Sequence, residues 1–400
     1  MKFIADLHIH SKYSRATSKD MDVENLDKWG RIKGIKVLGT GDFTHPAWIK
    51  ELREKLEPAE QGLFKVKKSD TGTRFLLSSE ISCIYSKNNR VRKIHIVVLA
   101  PDFLVVEKIN TQLDRIGNIK SDGRPILGLD ARELAKIVLN ISSDCLVIPA
   151  HIWTPWFSLF GDKSGFDTIE ECFEDYSKYI YAVETGLSSD PKMNWRLSAL
   201  DNITLISNSD AHSAIKIGRE ANVLNTDLSY NGIAESIKNK SSKKFIETIE
   251  FFPQEGRYHY NGHRKCNSCL SPQESKKIKN ICPVCGRPLT VGTCHRIDDL
   301  ADRDYGIVQE NSVPFKNLIP LNEIIAEVKG VGVRTKTVKK EYDNLINHFD
   351  SEFKILLEEK EEDIEQISCR KIAEGINRVR LGNVNIEPGY DGEYGKIKIF

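Results

Sequence analysis

No stretch of about 18 consecutive apolar residues occurs in the chain, so no membrane-spanning helix is expected. There is almost no excess charge: 58 Lys and Arg stand against 57 Asp and Glu, a net +1. No overall field draws the chain to nucleic acid, and any such contact has to rest on a local patch. The opening residues MKFIADLHIH put Asp6 and His8 where a secretion signal needs an apolar run. The expected compartment is therefore the cytoplasm. No internal repeat and no low-complexity tract is present. The nine cysteines are unevenly spread, with four in two Cys-x-x-Cys pairs. Outside a secretory context that pattern favours metal binding over disulfides.

What is present is a series of short apolar, β-branched runs separated by helix-like stretches. The strands expected are KFIADLHIH, IKVLGTGD, RFLLSSEISCIY, RKIHIVVLA, CLVIPAHI, YIYAVETG and ITLISNSDAH. Helices are expected over 23–32, 47–56, 131–141 and 191–200. EISCIYSKNNRV reads as a hairpin. Seven strands in such alternation predict an α/β fold, a nearly closed barrel. Past residue 238 the texture changes, first to a cysteine cluster and then to helices, with YGKIKIF as a final strand. The expected parts are 1–250, 251–315 and 316–400.

The histidines fall in a pattern. His8 and His10 follow the first strand and Asp42 and His45 the second. Glu80 lies in the third and His95 in the fourth. His151 ends the fifth, Glu184 the sixth, and Asp210 and His212 the seventh. Six of the ten histidines thus gather at strand ends, the rim where α/β barrels build their sites. A single histidine in a strand is usually a satisfied polar residue. Six, with carboxylates, are better explained by a multinuclear metal site of Zn, Mn, Mg or Fe, the ligands being His8, His10, Asp42, His45, Glu80, His95, His151, Asp210 and His212. Two or three such ions could hold a phosphate and lower the pKa of a bound water, which points to phosphate-ester hydrolysis. Asp6, on the same strand face as the two histidines, either orients an imidazole or is buried and bonded elsewhere.

Cys266, Cys269, Cys282 and Cys285 form C-x2-C-x12-C-x2-C, the spacing of a closed, structural four-thiolate zinc site. Around it run Arg257, Arg264, Lys265, Lys276, Lys277, Lys279, Arg287 and Arg296, with Glu274 the only acid between Arg257 and Ile297. The charge missing globally appears here, as phosphate contact requires. VKGVGVRTKTVKKEY looks like a helix-hairpin-helix turn, with Arg334 beside Gly330 and Gly332. Arg15, Lys19 and Arg219, near the ligand loops, are further candidates for phosphate contact. Trp153, Trp156 and Phe157 could stack on an extruded base. Glu184 and Ser189 are placed on the same DNA-binding side.

Together, His8-x-His10, Glu80, His151 and Asp210-x-His212 resemble the PHP superfamily of metal-dependent phosphoesterases. That resemblance implies a distorted seven-stranded barrel, one ion on His8, His10, Glu80 and Asp210, and a second on Glu80, His95 and His151. His45 and His212 would serve a third ion or the phosphate. The sequence departs from the superfamily at Gly41-Asp42-Phe43, where Thr-Asp-His is usual, and has no histidine in the loop after His10. With DLHIHSKYSRATSKDMD, GTGDFTHPAW, PAHIWTPWFSLFG, SNSDAHS and RYHYNGHRKC…CPVCG, nearly the whole chain is similar to the endonuclease Q family. This implies a monomeric DNA repair endonuclease cutting 5′ to uracil, hypoxanthine, xanthine or abasic sites. It would need two or three divalent ions and one structural zinc, with a sliding clamp or helicase as possible partners. Two rivals are a small-molecule phosphatase of the histidinol-phosphate type, which needs no basic zinc module, and a non-catalytic DNA-binding module, which needs no ligands.

Overall fold

The computed structural model describes residues 1–308 and 312–400; the expected middle part, 251–315, includes three residues outside them. Seven strands make up a ring: β1 (Lys2–Asp6), β2 (Val37–Gly39), β3 (Arg74–Lys87), β4 (Arg90–Ala100), β5 (Leu146–Pro149), β6 (Ala182–Glu184) and β7 (Thr204–Ile206). β1 pairs parallel with β2, and β2 with β3. β3, β4 and β5 follow antiparallel, and β6 pairs parallel with β7. Hydrogen bonds beyond the strand ends close the two remaining seams. Ile152 N–H donates to the Glu184 carbonyl at 3.0 Å, joining β5 to β6. Asp210 N–H donates to the His8 carbonyl at 3.0 Å, and Ile9 bridges Ala211 in parallel, joining β7 to β1.

The apolar runs are continuous because both strand faces are covered. Ala5, Val37, Leu76, Val97, Ile148, Ala182 and Ile206 pack in one buried cluster, one from each ring strand. Their neighbours Leu38, Leu77, Val98, Val147, Val183 and Leu205 pack in the other, with the helices. The period-two alternation thus divides every strand between the bore and the helical coat. One crossover lacks a helix: β3 returns as β4 through a tight turn with Asn88 and Asn89 at φ of 55° and 56°, as a two-residue hairpin requires. That makes the barrel mixed where a plain β/α repeat would be parallel.

Strands Ala221–Asn225 and Phe245–Glu250 extend the sheet beyond β1, and Phe315–Asn317 pairs with the latter. Asn261–His263 and Ser268–Leu270 form a small antiparallel ribbon beside helices Pro272–Lys277 and Thr293–Leu300. Helices Leu321–Lys329, Lys336–Phe349, Glu352–Leu357, Glu361–Ile367 and Arg370–Arg380 follow. A buried ion pair, Lys33–Glu352 at 2.6 Å, ties them to helix Val23–Lys33 of the barrel. The last strands, Asn385–Glu387 and Lys396–Lys398, turn back over the ribbon: Tyr260 bridges Tyr390, and Arg264 N–H donates to Asp391 at 2.7 Å. Among the described residues no helix is long and apolar enough to cross a membrane.

Candidate metal centre and DNA-facing surface

Residues just past the strand ends, with Glu80 and His95 from the middle of the β3–β4 hairpin, form two ligand groups in the ring. His8, His10, Glu80 and Asp210 form one, and Glu80, His95 and His151 the other. Glu80 stands between them. Its Oε2 lies 3.2 Å from His10 Nε2 and 3.7 Å from His8 Nε2. Its Oε1 lies 2.6 Å from His95 Nδ1 and 3.0 Å from His151 Nε2. Asp210 Oδ1 is 3.0 Å from His10 Nε2 and 3.8 Å from His8 Nε2.

These residues fit cations. His8 Nε2, His10 Nε2 and Asp210 Oδ1 are buried and make no hydrogen bond. Three atoms so close but unbonded converge on a common point rather than on one another, and buried polar atoms otherwise find partners. Imidazole with carboxylate suits Zn, Mn or Fe. Protonation follows the crowding. Burial opposes charge on His8 and His10, but the facing carboxylates outweigh it and raise both well above the usual imidazole range. Burial wins at His95, lowered to about 4. Glu80, despite burial, is held well below the carboxylate range by His95, Arg124 and the other histidines.

An outer layer orients the ligands. His8 Nδ1 lies 3.0 Å from both Glu184 oxygens, and Glu184 also accepts from Asn208 Nδ2 and His151 N–H. His10 Nδ1 lies 3.0 Å from Asp42 Oδ1, while Asp42 Oδ2 accepts from Ser11 N–H, Ser11 Oγ and Ser14 Oγ. Carboxylate acceptors at Nδ1 leave Nε2 free to ligate. Three residues of this region hold left-handed backbone, Asp42 (φ 49°), His151 (φ 29°) and Asp210 (φ 46°). Such conformations cost about 1–3 kcal/mol each and persist where the surroundings enforce them. Here strand pairing and Gly41 do so: a Cβ on Gly41, at φ 63°, would stand 2.3 Å from the Ile9 carbonyl.

Several expectations need correction. Asp42 lies behind His10, outside both ligand groups, because its oxygens are already taken. His45 occupies the N-cap position of helix Pro46–Lys55 without a side-chain cap bond, stacks on Tyr13 at 4.5 Å and has an unpartnered buried Nδ1, outside both ligand groups. His212 stands beside His10, ring centroids 4.5 Å apart, but its Nδ1 lies 2.9 Å from the Asp210 carbonyl. Glu184 is fully buried behind His8, and Ser189 is 1% exposed with its Oγ donating to the Thr185 carbonyl, so neither lies on the open surface. Trp153 is core: it is 1% exposed, with Nε1 donating to Asn194 Oδ1 at 2.7 Å. Asp6 touches no imidazole. The regular strand ends at Asp6, so its alternation does not carry on to His8, and the carboxylate accepts from Ser209 N–H, Ser209 Oγ and Gly218 N–H.

Other residues stay on the open side. Trp156 is 50% exposed, with Lys93 Nζ 5.0 Å above its ring and 5.2 Å from that of half-buried Phe157. Phe157 lies 4.8 Å from the His95 ring. Arg15, Lys19, Arg264 and Arg334 are exposed, and Arg219 is half-buried, its Nε donating to the Ser209 carbonyl.

The second metal group differs from the expected one. Cys266, Cys282 and Cys285 converge with His263. Cys269 Sγ lies 3.9 Å from the Pro388 carbonyl instead. Strand parity is the reason. Gly262 pairs with Cys269 and His263 with Ser268, so Cys269 and His263 face opposite sides of the ribbon. The Cys269 side is covered by the C-terminal tail, where a Cβ on Gly262 would stand 2.2 Å from the Tyr390 ring. The signal for His263 was its place three residues before Cys266. Arg124, whose Nη1 lies 3.0 Å from Glu80 Oε2, had no such signal.

Known proteins resemble this chain. The family description "MJ0043 C-terminal domain" matches residues 320–383. Uncharacterized protein MJ0043 of Methanocaldococcus jannaschii is 33% identical over 61% of this chain, which spans 31% of that longer protein. Uncharacterized protein YqxK of Bacillus subtilis is 32% identical over 99% of both chains. The crystal structure of the lesion-specific endonuclease PfuEndoQ from Pyrococcus furiosus is 32% identical, covering 100% of this chain and 95% of its own with a TM-score of 0.89. The chain belongs to the endonuclease Q family. A second structure of the family, a complex with a 27-mer duplex carrying an abasic lesion at the active site, covers 100% of this chain and 97% of its own at a TM-score of 0.86.

Proposed function

We propose that the protein is a DNA repair endonuclease that hydrolyses the phosphodiester bond 5′ to uracil, hypoxanthine, xanthine or an abasic site. The observation that carries this reading is the pair of ligand groups sharing Glu80 at the barrel mouth, in a chain matching lesion-specific endonuclease Q over its whole length. His8, His10, Glu80 and Asp210 would hold one divalent ion, and Glu80, His95 and His151 another. Ions so placed clamp a phosphate, make a water acidic and stabilise a departing oxygen. Glu184 and Asp42 keep His8 and His10 in the ligating tautomer. Trp156 and Phe157 offer an aromatic surface beside His95 for an extruded base, which leaves the stack more readily when mispaired or damaged. Arg219, Arg264 and Arg334 contact phosphates, as do the backbone N–H groups at Gly330 and Gly332. His263, Cys266, Cys282 and Cys285 hold a structural zinc that braces the basic ribbon. In this reading the barrel (1–250) cuts, the zinc part (251–315) and helices (316–400) grip DNA, and the protein acts as a cytoplasmic monomer.

The test is incubation with duplexes containing uracil or an abasic site plus Mn, Mg or Zn, with the nick mapped. One nick 5′ to the lesion is expected. Intact duplex alongside phosphate release from a small ester would overturn the reading.

A further inference from the structure

The barrel mouth contains one cation that the two ligand groups leave unexplained. Arg124 Nη1 lies 3.0 Å from Glu80 Oε2, the oxygen facing His8 and His10. Its side chain is 27% exposed, so the guanidinium reaches from the buried cluster towards the opening. The turn that carries it is fixed to the loops bearing His10 and Asp42. Gly123 N–H donates to the Tyr13 carbonyl at 3.0 Å, and the Gly123 carbonyl accepts from Thr44 Oγ1 at 3.1 Å. Asp122 Oδ1 accepts from the N–H groups of Arg15 and Arg124. A Cβ on Gly123 would stand 2.3 Å from Asp42 Oδ2, so the turn cannot approach this closely with any larger residue. Meanwhile Asp42 is occupied by Ser11, Ser14 and His10, and His45 stacks on Tyr13. Neither joins a third ligand group.

We infer that Arg124 is a catalytic residue that contacts the scissile phosphate and serves in place of a third ion; this rests on the endonuclease reading above. Its planar fork of N–H donors and permanent charge suit the non-bridging phosphate oxygens. In hydrolysis the oxygen of water bonds to phosphorus, the bond from phosphorus to one sugar oxygen breaks, and that oxygen leaves with a proton. Arg124 exchanges no proton in this sequence. It offsets the negative charge that grows on the phosphate.

The experiment compares the full chain with its Arg124→Gln and Arg124→Lys variants. Metal content by mass spectrometry, binding of uncut lesion duplex, and single-turnover nicking are measured on each. Two barrel metals plus one zinc are expected in all three proteins. Nicking by Arg124→Gln should fall about 100-fold, the scale for losing one transition-state charge contact. Binding of uncut duplex should change less than about threefold, and Arg124→Lys should recover part of the rate. Three barrel metals in the wild type would overturn the proposal. So would nicking by Arg124→Gln within about threefold of wild type, or loss of barrel metal from that variant, which would make Arg124 a support for Glu80. If the metal-loaded wild type nicks no lesion duplex, the endonuclease reading fails instead, while the metal count still reports on the third-ion question.

Discussion

The two metal groups of this protein are built on opposite plans. In the barrel, every ligand but the half-buried Asp210 is buried, and the imidazoles of His8 and His10 are each backed by a carboxylate, Glu184 and Asp42. In the ribbon, Cys285 is exposed and Cys266 and His263 are half-buried. There the ligands are aimed by tight backbone turns: Gly286 N–H donates to the Cys282 carbonyl, and Cys282 N–H to the Arg287 carbonyl. A centre that reacts needs tuned ligands and an open side; one that only braces needs four donors at fixed spacing. The difference teaches where the protein invests strain and burial, which is around the barrel centre.

That contrast can be broken at four places. The largest effect belongs to Asp210→Ala or His8→Ala. Either should reduce nicking more than about 1,000-fold while circular dichroism stays native, since in the proposed reading each removes a ligand of an ion that would hold the reacting phosphate. Next, His263→Ala or Cys282→Ser should release the zinc and weaken binding of uncut DNA, with barrel metals retained. Cys269→Ser should keep the zinc, and loss of zinc from that variant would restore the four-thiolate assignment. Third, Asp42→Asn and Glu184→Gln should each cost about 10- to 100-fold in barrel-metal affinity, read by chelator competition, because they disturb imidazoles rather than remove ligands.

The smallest effect concerns a carboxyl pair outside both ligand groups. Glu220 and Glu250 are fully buried on facing strand ends, and burial, with the neighbouring carboxylates, raises both, Glu250 to about 8. A folded-state pKa above the unfolded value means that the fold binds the proton more tightly. Stability is then lost as pH rises from the ordinary carboxylate range towards 8. Glu250→Gln should therefore melt higher than wild type at pH 8.5 and equally at pH 4, a small shift by differential scanning fluorimetry.

Much of the centre was legible because strand ends in an α/β barrel share one rim. His8, His10, His151 and Asp210 could be gathered from that rim, with Glu80 and His95 from within β3 and β4, and the continuous apolar runs mark every ring strand. What was illegible shares a cause: residue type does not say which way a side chain faces. Asp42 and Glu184 have the chemistry of ligands but stand behind them. Cys269 has the right spacing on the wrong side of the ribbon. Trp153 adjoins a ligand yet points into the core. Arg124 is brought to Glu80 by a turn locked from three sides, and no local pattern marks that.

The tail over the ribbon carries a lesson about order of assembly. Cys285 and His263 are 22 residues apart, so a growing chain can complete all four metal positions soon after they leave the ribosome. Pro388, which covers the Cys269 face, comes 119 residues after that cysteine. During synthesis the ligand group of the ribbon therefore stands without its roof for as long as the helices take to be made. Over that interval Cys269 is the thiol of the cluster that neither the ligand group nor the tail covers.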